Sequence, residues 1–344
     1  MKKILIFGAG SIGNHMTNAS LKLGCDVYIT DKASKALSRM KKTIFKKRYG
    51  YWNKNIKIIK FKNVSKLKNL FDLIIIGTPP GSHLDLLNFC KKNLIFKKIL
   101  IEKPLSIHNK ILNKKIFINK NKYIFCGYNH SLSPSIKKLF DLLDKEKKND
   151  IEFIDIKWKE GWKGILNAHS WLKDEFSSYL GDINKGGGAI HEHSHAVHLA
   201  LLLLEKVFDV PKIKKKVNFH FKKRKNFIYD RFVNVFYYDN YKSLNLEIDL
   251  YTIGSEKKIS IYTKNKTITW QHNYKKNCDL VEIFSKKKSK KILFKKNRET
   301  EFKVELAHIM NLKNKNDFKK SPININKGVE VMFEIKNLLK NQKI

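Results

Sequence analysis

Two stretches hold residue types whose spacing could do chemistry. The first is Gly186-Gly187-Gly188-Ala189-Ile190-His191-Glu192-His193-Ser194-His195. Within it, His191-Glu192-x-x-His195 fits the H-E-x-x-H pattern, in which two histidines one helical turn apart hold zinc and the glutamate acts as base. That reading needs a third ligand downstream, and no recognisable third-ligand motif follows. It also leaves the triple glycine without a purpose, so no metal is expected. The second stretch, Gly8-Ala9-Gly10-Ser11-Ile12-Gly13, fits G-x-G-x-x-G. A strand precedes it, a helix beginning with Ser11 and Ile12 follows it, and Asp31 stands 18 positions after Gly13 (31 − 13) at the end of the next strand. This context marks a dinucleotide loop. Gly8 permits the turn, Gly10 lets a pyrophosphate approach the backbone, and Gly13 allows close helix–strand packing. The helix N-terminus would face the phosphates with its N–H groups and positive dipole end. Asp31 would accept hydrogen bonds from the adenosine ribose and repel a 2′-phosphate, favouring NAD. Lys32 beside it is a cation that could tolerate the phosphate, which keeps NADP open.

The elements that must position these residues follow from periodicity. Apolar runs at Lys3–Phe7, Val27–Thr30, Ile56–Phe61, Leu73–Ile76, Ile99–Ile101 and Tyr123–Cys126 alternate with amphipathic helical stretches, the first over about Ser11–Leu23. Alternating strands and helices predict a doubly wound parallel sheet, a Rossmann domain over residues 1–127. Residues 128–344 read as an α+β domain with a largely antiparallel or mixed open sheet. There a helix (Pro134–Lys145), a strand (Ile151–Trp158), a long helix from about Gly188, period-two segments (Phe232–Tyr237, Leu244–Ile248, Lys258–Tyr262) and a final helix near Lys327–Asn341 are expected. The lysine tract Lys286–Lys291 reads as a hairpin or loop.

Composition bounds the function. The 344 residues are 42% hydrophobic, enough for real cores. No apolar run approaches the ~20 residues of a membrane span, and Ile4–Phe7 is too short for a signal-peptide core. A soluble, cytoplasmic protein with no membrane partner is expected. The net charge of +40, from 71 Lys+Arg against 31 Asp+Glu, would ordinarily point to nucleic acid. The lysines, however, are spread along the whole chain among many asparagines and isoleucines, a pattern that AT-rich codons produce. Solvated faces are expected, not a nucleic-acid interface. Cys25, Cys90, Cys126 and Cys278 have no C-x-x-C spacing and read as buried thiols.

Several separated motifs together resemble the glucose–fructose oxidoreductase / inositol dehydrogenase (Gfo/Idh/MocA) family. Gly77-Thr78-Pro79-Pro80-x-x-His83 looks like its loop after the fourth strand, beside the cofactor. Glu102-Lys103-Pro104 matches its signature after the fifth strand. Gly127-Tyr128-Asn129 resembles its crossing into the second domain, and Gly186–Gly188 followed by His195 its catalytic helix. The resemblance implies cofactor contacts from Thr78, Pro79, His83, Glu102, Lys103 and Asn129. It also places Lys103 and His195 near the nicotinamide and the substrate. Oxidising a secondary alcohol requires a base for the hydroxyl proton while hydride leaves carbon, and a histidine titrates in the right range. Lys103 could hold the substrate oxygen and stabilise developing negative charge, or serve as base if desolvated. Many family members have an aspartate where Glu192 stands here, three residues before His195 and on its helical face; it could orient the imidazole. His191 could reach the same cleft, whereas His193 reads as a packing residue and His198 stands where acids are common. Asn129 and the aromatic-rich loop with Trp158, Trp162, His169, Trp171 and Tyr179 are candidates to line a substrate site.

The function expected is NAD(P)-dependent hydride transfer at the hydroxyl carbon of a sugar, cyclitol or nucleotide-linked sugar, by a homodimer or homotetramer. Two alternatives stay open. A glycosidase or sugar–sugar oxidoreductase could recycle its cofactor internally, and an inactive NAD-binding sensor or scaffold would keep the fold without turnover.

Overall fold

The computed structural model describes residues 1–110, 114–117, 123–167, 169, 171–286, 288–340 and 342. The chain divides into two compact units, Met1–Asn129 with Arg298–Val329 and His130–Asn297 with Glu330–Ile344. The expected boundary after residue 127 lies two residues from the observed one. Arg298–Val329, expected in the second domain, packs with the first instead.

The first unit begins β1 (Lys3–Phe7), α1 (Ser11–Lys22), β2 (Asp26–Thr30), α2 (Ser34–Arg39), α3 (Phe45–Tyr49) and β3 (Ile56–Ile58). It continues through β4 (Leu70–Ile76), α4 (His83–Asn93), β5 (Ile95–Ile101) and β6 (Tyr123–Cys126). The strand expected over Ile56–Phe61 is shorter, because Phe61 already opens a 3-10 turn, Phe61–Lys66. All six strands are parallel in the order β3-β2-β1-β4-β5-β6. This is the Rossmann order, with its topological switch between β1 and β4. Ile4–Ile6 and Leu73–Ile76 have no exposed surface, as strands covered on both faces require.

The second unit opens with α5 (Pro134–Leu143), capped by Ser133, whose Oγ accepts the Ile136 N–H at 3.2 Å. Then come β7 (Ile151–Glu160), α6 (Trp162–Asn167), three 3-10 turns between Glu175 and Lys185, α7 (Ala189–Glu192) and α8 (Ser194–Val207). The long helix expected from Gly188 is therefore two, broken at His193 (φ −97°, ψ 26°). The strands β8 (Lys214–Arg224), β9 (Phe227–Tyr238), β10 (Ser243–Asp249), β11 (Ser255–Thr263), β12 (Lys266–Lys275), β13 (Cys278–Ser285) and β14 (Lys288–Lys295) complete the unit's sheet. The order is β14-β13-β12-β11-β7-β10-β9-β8, antiparallel except for the β7–β10 pair. The lysine tract expected as hairpin or loop supplies both a turn, at Lys286 (φ 50°), and much of strand β14. Helices α9 (Arg298–Asn311) and α10 (Lys315–Lys320) belong to the first unit, as do the first residues of α11 (Ile325–Leu339). No described helix is long and apolar enough to cross a membrane, and all four cysteines are buried and free.

The start of α7 rests on one buried acid. Gly188 has φ +85°, and a methyl group there would lie 2.0 Å from Asp230 Oδ1. Asp230 on β9 accepts the Ile190 N–H at 2.7 Å and so caps α7 from another element. Burial pushes its carboxyl from 3.8 up to about 8, although the backbone donors of α7 pull the other way. The folded state therefore binds a proton that the unfolded chain releases. The stability involved is full below the unfolded value and is lost as pH rises through about 8. Asp230→Asn keeps an oxygen for Ile190 but cannot ionise. Its melting temperature should exceed the wild type's at about pH 9 and approach it near pH 5; an offset identical at both would contradict this.

Candidate functional site

In the first unit the glycine turn forms where the sequence places it, at the C-terminal end of β1. A methyl group on Gly13 would lie 1.8 Å from the Gly8 carbonyl oxygen, so helix and turn touch through backbone alone. A methyl group on Gly10 would meet nothing within 4 Å. Gly10 is also the N-cap of α1 and offers no side-chain oxygen to the first turn. The first-turn N–H groups therefore face an open cradle suited to an anion. Asp31 reaches back to this turn: Oδ2 accepts the Ala9 N–H and Oδ1 the Ala33 N–H, both at 2.8 Å. Its carboxylate is thereby held at the rim, half-exposed, with Lys32 exposed beside it.

Arg48, on α3, is a residue that sequence reasoning missed. Its guanidinium donates to the Ser11 carbonyl at 3.2 Å and to Ser11 Oγ at 3.1 Å, bringing a cation to the mouth of the cradle. Only its place in a lysine-rich run, Lys46-Lys47-Arg48, marked it. Behind it His15 bonds Tyr49 Oη at 2.7 Å and stacks on Phe302. Burial and the charges of Arg298 and Arg48 push His15 down to about 3, so it stays neutral and adds no charge.

The loop after β4 meets the same turn. A methyl group on Gly8 would lie 2.6 Å from the Gly77 carbonyl oxygen, and Thr78 Oγ1 and Ser82 Oγ lie 2.7 Å apart. His83 has no exposed surface. Its Nε2 is 2.7 Å from the Thr78 carbonyl, and Nδ1 is 3.1 Å from that of Pro104. Burial outweighs these carbonyls and pushes the ring down to about 4. A neutral imidazole has one donor, and each ring nitrogen faces a carbonyl, Nε2 that of Thr78 and Nδ1 those of Pro104 and Leu105. This wholly buried ring ties the Thr78 loop to the Glu102–Pro104 loop. That second loop carries half-buried Lys103 before a cis peptide bond to Pro104. Glu102 is buried, and a methyl group on Gly127 would lie 3.0 Å from its carboxyl. Burial and the nearby Glu102 charge hold Glu305 of α9 well above the usual carboxylate range. Sequence reasoning missed it as well; an acid on the apolar face of a helix was the available signal.

In the second unit, α7 and α8 carry the other candidates. His191 is fully buried with Nδ1 3.0 Å from the Gly187 carbonyl. His195 is half-buried at the start of α8, its ring 6.1 Å from Trp158 in a stacked pose and 4.7 Å from His130. The break at His193 separates Glu192 from His195, and His191 from His195, so neither pair has the spacing of one continuous helix. Among the described residues no group of three His, Cys, Asp or Glu is arranged to hold a metal. Trp158 is core, 1% exposed, so it supports His195 and is not an open wall of a cleft. Trp162 donates to Tyr229 Oη at 3.0 Å, while Trp171 is half-exposed beside His169. Asn129 is buried and ends the first unit.

A parallel sheet of this order with an uncapped glycine turn at its switch point defines a dinucleotide-binding Rossmann domain. Residues 2–126 match the oxidoreductase family, NAD-binding Rossmann fold (GFO_IDH_MocA). The match covers the Rossmann domain alone, which is similar to the NAD-binding domain of that family. No curated protein matches the chain at a significant level. Solved structures of similar fold include KijD10, a 3-ketoreductase from Actinomadura kijaniata in complex with NADP and TDP-benzene. It has 10% identity and a TM-score of 0.70, with 96% of this chain and 94% of that one covered. UDP-N-acetylglucosamine 3-dehydrogenase GnnA from Acidithiobacillus ferrooxidans has 10% identity and a TM-score of 0.68, covering 98% and 96%. A super-repressor mutant of Gal80p from Saccharomyces cerevisiae has 12% identity and a TM-score of 0.73, covering 98% and 95%.

His83→Leu fills the same slot but removes the bridge between the two loops. It should cost about 1–3 kcal/mol of stability and weaken NAD binding together, as read by chemical denaturation and calorimetric titration. Unchanged NAD affinity would show that the bridge does not shape the cradle.

Proposed function

We propose that the protein is an NAD(P)-dependent oxidoreductase that moves hydride between nicotinamide and the hydroxyl carbon of a sugar, cyclitol or nucleotide-linked sugar. The observation that carries this reading is the half-buried imidazole of His195, packed on Trp158, in a chain whose other unit is an NAD-binding domain. When bound, the nicotinamide supplies the hydride acceptor. Gly10, Ser11, Ile12 and Gly13 would hold the pyrophosphate, and Asp31 the adenosine ribose. His195 takes the hydroxyl proton in oxidation and returns it in reduction. Lys103 holds the substrate oxygen and offsets negative charge as it develops. Asn129, His191 and Trp171 are assigned to substrate contacts or their support, and Pro79 and Lys32 to the cofactor rim.

A nucleotide-linked sugar is favoured within this class. Its diphosphate suits a chain of net charge +40, and the descriptions of KijD10 and GnnA name TDP- and UDP-linked compounds. Internal cofactor recycling predicts product without net NADH. A sensor without turnover is the reading that the Gal80p fold would support, but Lys103 and His195 would then have no use. We place the protein in solution as a homo-oligomer.

Saturating NAD or NADP should raise the melting temperature by about 4 °C, from roughly 2.7 kcal/mol of ligand stabilisation at a hundredfold excess over Kd. If neither dinucleotide shifts it, the central assignment fails. With a substrate found from a UDP- and TDP-sugar panel, Lys103→Ala and His195→Ala should each lower turnover about 10²–10⁴-fold while NAD still binds. Undiminished turnover in His195→Ala would remove the acid–base assignment.

A further inference from the structure

A cavity of about 610 Å³ in the second unit is lined by His220 and Phe221 of β8, Arg231 of β9 and Tyr251, which follows β10. None of the four has a part in the proposed chemistry. The volume suits a small organic molecule.

The walls follow from a break in strand pairing. His220 pairs with Phe232 and Phe221 with Asp230, so Arg231 is the extra residue of a β-bulge. A bulge near a sheet edge re-aims the side chain it carries. Asp230 serves the start of α7, and one residue later Arg231 is exposed. Its guanidinium lies 5.0 Å from the centre of the Tyr251 ring. Phe232 stacks on Tyr251 at 6.3 Å, and His220 meets Phe232 at 5.4 Å. Phe221 stacks on Phe219 at 5.5 Å. The backbone of Tyr251 is held as well. The buried Asp249 carboxylate accepts its N–H at 3.2 Å, the Thr252 N–H at 3.0 Å and the Thr252 hydroxyl at 2.6 Å.

The balance of charge sets the sign of the ligand. Only five of the 71 Lys+Arg are arginine. Arg48, Arg224 and Arg298 each reach an oxygen atom. Arg231 reaches none among the described residues, so its donors face water or a ligand. The acids nearby are engaged elsewhere, Asp249 in its turn and Glu247 with Lys159. Partial burial and then the Asp249 charge raise the Tyr251 hydroxyl above its ordinary value, so the phenol is neutral near pH 7. The lining therefore offers a planar fork of donors, an imidazole and two aromatic rings, and no carboxylate. A guanidinium matches phosphate with two parallel bonds. An inorganic anion would use that fork and leave most of the volume unfilled; an ester with a flat ring uses both.

We propose that the cavity at the β8–β9 bulge binds a phosphate monoester bearing a flat ring, with its phosphate on the Arg231 guanidinium and its ring against Phe221. This site is separate from the dinucleotide cradle of the first unit and independent of the hydride-transfer reading. A nucleotide and a simple aryl phosphate share the chemistry.

The test is calorimetric titration of the full chain, with NAD present throughout, against phenyl phosphate, uridine monophosphate, glycerol phosphate and inorganic phosphate. The two ring-bearing esters should bind more tightly than the other two probes. Arg231→Met keeps bulk over Tyr251 but loses the fork, and should weaken both ring-bearing esters about 10–100-fold. Arg231→Lys, which keeps the charge, should weaken them less. Phe221→Leu should remove the advantage of the ring and leave inorganic phosphate unchanged. Either order between phenyl phosphate and uridine monophosphate supports the site and tells an aryl phosphate from a nucleotide. The proposal is overturned if the wild type binds neither ring-bearing ester. It is overturned equally if Arg231→Met binds them as the wild type does, or if all four probes bind alike.

Discussion

The first unit depends on a contact between backbones. At the switch point Gly13 touches the Gly8 carbonyl, and Gly8 in turn touches the Gly77 carbonyl. No side chain fits between them. This closeness lets α1 begin immediately beyond β1 and sets the loop after β4 beside the turn. The open cradle at Gly10, the reach of Asp31 to the Ala9 N–H and the reach of Arg48 to Ser11 all follow from where that helix starts.

The second unit solves the same problem with polar burial. α7 begins on the Asp230 carboxyl, and α8 begins after the break at His193. The histidines of this stretch are therefore carried by a short, kinked segment and not by a straight helix. The sheet beneath brings Trp158 and His272 from separate strands to the same place. A rigid β surface is a more exact base for an imidazole than a loop.

Much of the first unit was legible. G-x-G-x-x-G between a strand and a helix, and uninterrupted apolar runs such as Leu73–Ile76, define strand order and switch point through rules that act locally. The Glu102-Lys103-Pro104 stretch was marked by the family resemblance and not by periodicity. What could not be read depended on distant partners. Arg298–Val329 packs with the first unit because the buried faces of α9 and α11 find it, and local periodicity carries no address. β14 was hidden because its lysines face solvent on an edge strand, where charge is a safeguard against further pairing. The break at His193 was hidden because residues 189–207 contain no Gly or Pro to mark a stop. Arg48 and Glu305 act through contacts at long sequence separation, which no spacing rule reports.

The single parallel pair in the larger sheet has a consequence for how the chain acquires its structure. β7 is the first of that sheet's strands to be synthesised, yet it ends between β10 and β11, with neighbours that begin at Ser243 and Ser255. Both its edges wait for chain that emerges some 80 residues later (243 − 160 = 83). Hairpins β8–β9 and β11–β14 can form from nearby chain, but they can join only across β7. Loop closure of that length is slow, and a strand with one apolar face and two open edges invites wrong partners. The order of synthesis therefore leaves the central strand unpaired until its neighbours emerge, while the lysine-rich outer strands give the finished sheet charged edges.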